Sequence, residues 1–500
     1  DAQRWMIGGS GLNGFVGLNG PYQVDDDHDG VYDRIANPDA VGIELSDVDV
    51  GLALYIDPNA DRSWLSAKAE AASAIERGIP VFDMDVSNLG VVLNVGTDGE
   101  TVIDFAGERA VDVTIATDDV TTTDTDETET LTLDQDGDFG QLIQAVADID
   151  LEVVNDGESV FNLTGSVGFE RSTRDLVLAN DQKVRANMLS FGGDGLSGSI
   201  GGGVALDNID FGAAVFSAID GSDASVQDLK WASLSATAGG IDLDLGAAGL
   251  GASDLSIDVN TVIGFDDAGV HSGANKDTFV IDYLDAATDE LNILTSPRSA
   301  IAIEFDGDLG RVIQVSGAMS IQVGDFLELE GNFGFERSVR DVTLSDGSTR
   351  SVSMLTVAGT DLAGFVGLGP YRVDLNFDGV IDDHEINPDA LGLAIDQVDL
   401  ALGIFTENDP ALTDPNQWQA VHANVGVVTG VMGLPDDISL DLVNVGIDLN
   451  LAGNDGYVID FSGTKAIPVI AGPNRTLNLN YDGARGELRR VSAGAQLSVA

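Results

Sequence analysis

The sequence predicts an all-β protein, an elongated, repetitive β-solenoid or β-superhelix with antiparallel hairpins; a row of β-sandwich domains is the alternative arrangement. Three observations carry this expectation. Apolar and polar residues alternate over long stretches, the period of a strand with one buried face. Short signatures return at long intervals, the mark of a repeat architecture. Glycine, 61 of 500 residues, recurs between and within the alternating stretches, where it permits turns with positive φ and sharp bends of a sheet.

Along the chain, "SWLSAKAEAASAIERG" (63–78) is the first test. Its composition favours a helix. Its Trp64, however, corresponds to Trp231 and Trp418, which are followed by "ASLSATAGGIDLDL" and "QAVHANVGVVTGV", so the repeat predicts a strand. Residues 117–130, "TDDVTTTDTDETET", have no counterpart after the later "VIDF" and read as a solvated surface loop. Residues 240–260, "FLELEGNFGF" (326–335) and "ISLDLVNVGIDLNL" (438–451) alternate as strands. "DVTLSDGSTRSVSML" (341–355) reads as two antiparallel strands around Asp346-Gly347, a favoured pair for a tight hairpin.

The repeat spacing is long. "GFERS" occurs at 168 and 334, so 334 − 168 = 166. "VID" followed by an aromatic residue occurs at 102, 280 and 458, twice a spacing of 178. "GFVGLNGPY" returns as "GFVGLGPY", with Gly14 matching Gly364; Met6, Met188 and Met354 also match. These set three units, 1–165, 166–331 and 332–500, the first truncated at its start and the third at its end. A window onto a longer array is expected. In each "GFERS" segment, Phe169 and Phe335 are expected to face inward, with Glu170, Arg171, Glu336 and Arg337 facing out.

Charge narrows the function. Lys and Arg total 23 against 84 Asp and Glu, a formal charge of −61. That excludes a nucleic-acid binder and argues against anionic lipid. Carboxylates this dense repel one another within a Debye length of about 8 Å, and divalent cations or a saline medium relieve the repulsion. There is no cysteine, hence no disulfide and no thiol chemistry. No apolar run approaches a membrane span.

"DLNFDGVIDDHE" (374–385) has the spacing of a twelve-residue calcium loop. Calcium takes six to eight oxygens, and alternate side chains of a tightly wound loop converge on one point. Asp374, Asn376, Asp378 and Asp382 are the side-chain candidates, with Val380 offering its carbonyl and Glu385 closing the site with both oxygens. Gly379 permits the bend. "DDDHDGVYDRIA" (25–36) keeps the pattern in Asp25, Asp27, Asp29, Val31 and Asp33. Its last position is Ala36, so a weaker site, or one completed from elsewhere, is expected. Asp39 and Asp389 are supplementary candidates, with a plain turn as the simpler role. The middle unit lacks the loop. The acidic stretches "LDQDGDFG" and "EFDGDLG" read as turns. Neither loop is flanked by amphipathic helices, so Ca2+ is expected to stiffen the chain rather than switch it.

No zinc spacing, nucleophile elbow, P-loop or dinucleotide fingerprint occurs, and no catalytic role is expected. Trp64, Trp231 and Trp418 are either core anchors or a ladder for sugars, with core the favoured role.

The pattern "GFERS…MLTVAG…GFVGLGPY…DxNxDGxxD…NPDALGL…VIDF" resembles repeats in giant secreted bacterial surface proteins, the long, Cys-free, acidic arrays of giant adhesins and LEPR-XLL-type proteins. The resemblance implies an extracellular or cell-surface location and a calcium-loaded fibre, sheath or adhesin stalk. The alternative is a glycan- or surface-binding adhesive module. The partners implied are further copies or the rest of a longer chain, with surface glycans under the alternative, and neither nucleic acid nor membrane insertion.

Overall fold

The computed structural model describes every residue except 1, 21–22, 25–34, 38, 79–81, 107–112, 118–129, 156–157, 201–203, 220–224, 245–247, 265–273, 324–326, 370–371, 374, 376–384, 386, 433–437 and 500. The chain opens with strand β1 (Gln3–Leu18) and a short pair, β2 (Gln23–Val24) and β3 (Ile35–Ala36). Then come β4 (Val41–Asp57), β5 (Arg62–Arg77), β6 (Phe82–Gly96), a small ribbon of β7 (Val113–Ala116) and β8 (Thr130–Leu133), and β9 (Leu142–Asn155), β10 (Glu158–Val177) and β11 (Lys183–Ile200). The sequence of elements recurs as β12 (Val204–Ala218), β13 (Lys230–Asp244), β14 (Ala248–Ile263), ribbon β15 (Leu291–Leu294) and β16 (Ala300–Ile303), β17 (Val312–Val323), β18 (Leu327–Thr343) and β19 (Thr349–Leu368). A third round supplies β20 (Leu391–Glu407), β21 (Gln417–Met432), β22 (Ile438–Leu451), ribbon β23 (Ile467–Gly472) and β24 (Arg475–Leu479), and β25 (Leu488–Val499).

The seventeen long strands form one antiparallel sheet. Each pairs with the next long strand along the chain, from β1–β4 through to β22–β25. The result is an elongated all-β meander. Among the described residues there are five 3-10 turns and no α-helix, and no helix long and apolar enough to cross a membrane. Residues 62–77 are strand β5 despite their helix-favouring alanines, because the backbone pairs along its length with β4 on one side and β6 on the other. The Asp346-Gly347 hairpin forms as expected, with Gly347 at φ 87° and its N–H donating to Leu344 O at 2.9 Å.

A single sheet leaves both faces open, and here the ribbons cover one of them. Around β15–β16, Met188, Phe216 and Trp231 of the sheet bury against Ile281, Leu291, Ile293 and Ile303. Met354, Phe405 and Trp418 do the same against Ile459, Phe461 and Val469. Tyr55 and Trp64 pack against Phe105, Val113 and Ile115. Each ribbon runs back across the strands before its own: β15 lies on β10, β11 and β12, and β23 on β17, β18 and β19. Close approach demands glycine beneath it. A Cβ at Gly168 or Gly192 would overlap Leu294 O, one at Gly334 Ile470 O, and one at Gly8 Ala116 O.

A line of bulges crosses the sheet. Asp47, Asn88, Asn208, Asp254, Gln397 and Asn444 all hold φ between 47° and 54° in mid-strand. In β1, β11 and β19 the equivalent residue is Gly11, Gly195 or Asp361, at φ 60°, 60° and 52°. The N–H freed at each of these three is caught by an aspartate on the next strand: Asp49 at 3.1 Å, Asp210 at 2.7 Å and Asp399 at 3.3 Å. Bulges bend strands and increase local twist, and six aspartates, Asp47, Asp254 and Asp361 with the acceptors Asp49, Asp210 and Asp399, are structural at this line.

Candidate metal centre

Strand β19 leads into the 374–385 loop. Of its candidate ligands, Asp374, Asn376, Asp378, Val380 and Asp382 lie outside the described residues, and Glu385 lies within them. Glu385 is buried. Its Oε1 accepts from the Leu375 N–H at 3.0 Å, and its carbonyl accepts from the Val373 N–H at 3.1 Å. The twelfth loop position is thus held beside the second, and the loop is closed at its neck. Just outside, Arg372 donates to Glu330 at 2.6 Å and Glu328 at 3.2 Å, which fastens the loop's entry to β18. Burial pushes the Glu328 carboxyl up, against the pull of Arg372, and the Glu330 charge adds to the rise.

In the first loop, Asp25, Asp27, Asp29, Val31 and Asp33 lie outside the described residues. Its neck is the β2–β3 pairing, Gln23 with Ala36 and Val24 with Ile35. Both loops therefore have their ends brought together by backbone pairing. Asp39 and Asp389 are turn residues, their N–H groups donating to Asn37 and Asn387 Oδ1 at 3.0 Å. Among the described residues no three His, Asp or Glu side chains gather into a metal-binding group.

The "VID" segments are turn buckles. Asn94, Asn260 and Asn450, all buried, donate to Ile103 O, Ile281 O and Ile459 O at 2.7, 2.8 and 2.9 Å. The aspartates that follow, Asp104, Asp282 and Asp460, accept from Gly137, Gly307 and Gly483 N–H at 3.3, 3.3 and 3.0 Å. Those glycines open 3-10 turns capped by Asp136, Asp306 and Asp482. The stretches "LDQDGDFG" and "EFDGDLG" are thus turns, as expected. A third copy, "YDGARG" (481–486), escapes a search by acidity because Ala484 and Arg485 replace the acid-bearing pair. Burial pushes the Asp460 carboxyl up, but Lys465 at 2.6 Å and the Gly483 and Ser462 amides outweigh it and hold it well below the ordinary range.

The tryptophans are anchors. Trp231 Nε1 donates to Phe279 O at 2.7 Å and Trp418 Nε1 to Tyr457 O at 2.9 Å. Trp64 Nε1 donates instead to Thr101 Oγ1 at 2.9 Å, itself bound to Asp98. The Thr101 hydroxyl, with the Thr101 and Glu100 amides, holds the Asp98 carboxyl down at about 2. Trp231 and Trp418 are buried, so these two rings are core rather than a surface ladder.

The "GFERS" expectation is corrected. Glu170 and Glu336 are buried, 3% and 1% exposed, whereas Phe169 and Phe335 lie on the opposite face. Glu170 accepts from Ser172 Oγ at 2.5 Å, Arg174 at 2.6 Å and Gln144 at 2.9 Å. Glu336 accepts from Ser338 Oγ at 2.6 Å and pairs with Arg340 at 3.5 Å. The spacing Glu-x-Ser-x-Arg places all three on one strand face, a signal present in the sequence. Glycines at 168 and 334 displace bulky residues under the ribbons, so polar residues take the inward positions beside them. The two soft unit boundaries, Gly165 and Gly331, fall within β10 and β18, with φ of 136° and 144°.

No protein-family model and no curated protein matches the chain.

Proposed function

We propose that the chain is an extracellular structural array, a calcium-stabilised fibre, sheath or adhesin stalk without a catalytic role, whose units coil into a β-superhelix. The observation that carries the reading is the ribbon of each later round of strands, which lies across the last strands of the round before it, β15 on β10 and β11 and β23 on β17, β18 and β19. Such a ribbon resists bending at the junction, where a chain of independent domains would flex. A twist of roughly 20–25° between neighbouring strands, accumulated over sixteen pairings, amounts to roughly one full turn, which favours a superhelix over a flat sheet. The Glu-x-Ser-x-Arg networks, the buckles and the aspartate-capped bulges recur with the unit. A scaffold that recurs in this way suits a structural role better than a catalytic one.

Ca2+ would be held by Asp374, Asn376, Asp378, Asp382, Glu385 and the Val380 carbonyl, and more weakly by Asp25, Asp27, Asp29, Asp33 and the Val31 carbonyl. Bound cation would neutralise carboxylates beside a surface of −61. At free ion 100 times Kd, one site adds about 2.7 kcal/mol to the folded state. Electron microscopy and limited proteolysis of the purified chain, with calcium and with chelator, test the reading. Stiff particles that soften, and cleavage that concentrates at 374–385, are expected. Particles that bend freely at every calcium level would refute it.

A further inference from the structure

We infer that the outer edge of β1 is an acceptor for an added β-strand of the pattern Gly-Phe-Glu-x-Ser-x-Arg. Three strands, β1, β11 and β19, are the same structural position: each carries the bulge at Gly11, Gly195 or Asp361, and each pairs through its inner neighbour in one register, Gly8 with Gly51, Gly192 with Gly212, Ala358 with Ala401. On their other side β11 and β19 are covered. Gly168, Phe169 and Arg171 of β10 stand opposite Gly192, Phe191 and Leu189; Gly334, Phe335 and Arg337 of β18 stand opposite Ala358, Val357 and Leu355. Among the described residues β1 pairs only with β4.

Its side chains show what that leaves open. Trp5 and Ile7 are 64% and 66% exposed, whereas the equivalent Leu189 and Phe191 are 38% and 48%, and Leu355 and Val357 37% and 39%. A strand in the same register would lay its Phe beside Ile7 and the residue after its Glu, Arg171 in β10 and Arg337 in β18, beside Trp5, as Phe169 meets Phe191 with ring centres 5.3 Å apart. On the other face, its Glu would lie diagonal to Arg4. The ribbon β7–β8 is already in place above the slot. Ala116 O overhangs Gly8 as Leu294 O overhangs Gly192 and Gly168, and Ser10 Oγ secures it by donating to Thr117 O at 2.5 Å. An incoming strand must therefore carry glycine under that carbonyl, which adds a side-chain filter to the backbone pairing of an exposed edge. The inference rests on the recurrence of strand positions and not on calcium, so either can fail alone.

The test uses the whole chain and a peptide of residues 158–177, which contains no tryptophan. Added peptide should shift the emission of Trp5 to the blue, saturably and at one peptide per chain, because Trp231 and Trp418 are buried and Trp64 lies on β5, away from the outer edge of β1. A Gly168→Val peptide should bind at least tenfold more weakly, and a Trp5→Phe chain should lose the shift while still binding by sedimentation. No saturable binding, a shift that survives Trp5→Phe, or equal binding by the Gly168→Val peptide each overturns the inference.

Discussion

Replacing Asn260 with alanine tests whether the buckle, rather than general apolar packing, fixes the ribbon to the sheet. Asn260 is fully buried; its Nδ2 donates to Ile281 O at 2.8 Å and its Oδ1 accepts from Ser233 Oγ at 3.3 Å. Alanine removes a hydrogen bond of net value about 0.5–1.5 kcal/mol and leaves the Ile281 carbonyl unsatisfied at about 1–3 kcal/mol. A cost of about 2–4 kcal/mol is expected, with Ser233 partly compensated by the Tyr283 hydroxyl at 2.7 Å. In a chain of stacked units this cost should be local, so a global melting curve is the wrong readout. Hydrogen exchange followed by mass spectrometry on fragments spanning 276–309 is the right one. At about 1.4 kcal/mol per tenfold, exchange there should accelerate by roughly 30- to 1000-fold. Residues 41–96 should be unchanged. Acceleration below threefold, or spread evenly along the chain, would show that the asparagine is incidental to the ribbon's attachment.

Four further outcomes follow from the same geometry. Arg174→Met should destabilise the second-unit boundary by about 3–5 kcal/mol by stranding the buried Glu170, and the double change with Glu170→Gln should recover much of it, read by exchange over 158–200. Glu385→Gln should weaken calcium binding measured by calorimetry and open the loop neck to proteases. Ala36→Glu should strengthen the first loop in the same assay. Because Asp460 is held below its unfolded value of about 4, its stabilisation is present above that pH and is lost as pH falls toward the folded value; exchange over 457–486 should therefore quicken as pH falls below about 4 in native-like buffer, relative to Asp460→Asn.

The fold class was legible because alternation is a local consequence of burial on one face. Repeat logic also overruled propensity correctly at 62–77, where Trp64 marks the strand. Two features were hidden for physical reasons. A bulge shifts register by one residue without changing composition, so the seam of Asp47, Asn208 and Asp361 could not be counted out in advance. The expected match of Met6 also fails: it is two residues nearer its bulge (11 − 6 = 5) than Met188 and Met354 are to theirs (195 − 188 = 361 − 354 = 7), so it stands opposite Ala53 and is 43% exposed, whereas Met188 and Met354 meet Phe216 and Phe405 in the core. The inward Glu170 and Glu336 were misread because a charged side chain is ordinarily placed in solvent. Two steps along the strand, Ser172 and Ser338 already offered the donors that make burial affordable.

Taken together, the buried glutamates, buckles and caught bulges share one chemistry: an aspartate, asparagine or glutamate satisfies backbone or side-chain donors that a one-layer sheet with a thin ribbon cannot otherwise pair. In a thicker protein a second sheet would bury apolar side chains over the same area. Here polar satisfaction substitutes for depth, which accounts for part of the acidity without any metal. The two acidic loops, 25–36 and 374–385, are separate from this scheme. They follow β1 and β19 in the chain, and the unit without one keeps the same strands, register and core in β11–β12. Calcium would therefore stiffen a scaffold that folds on its own pairing, and chelation should loosen the loops while leaving exchange protection at Trp231 intact.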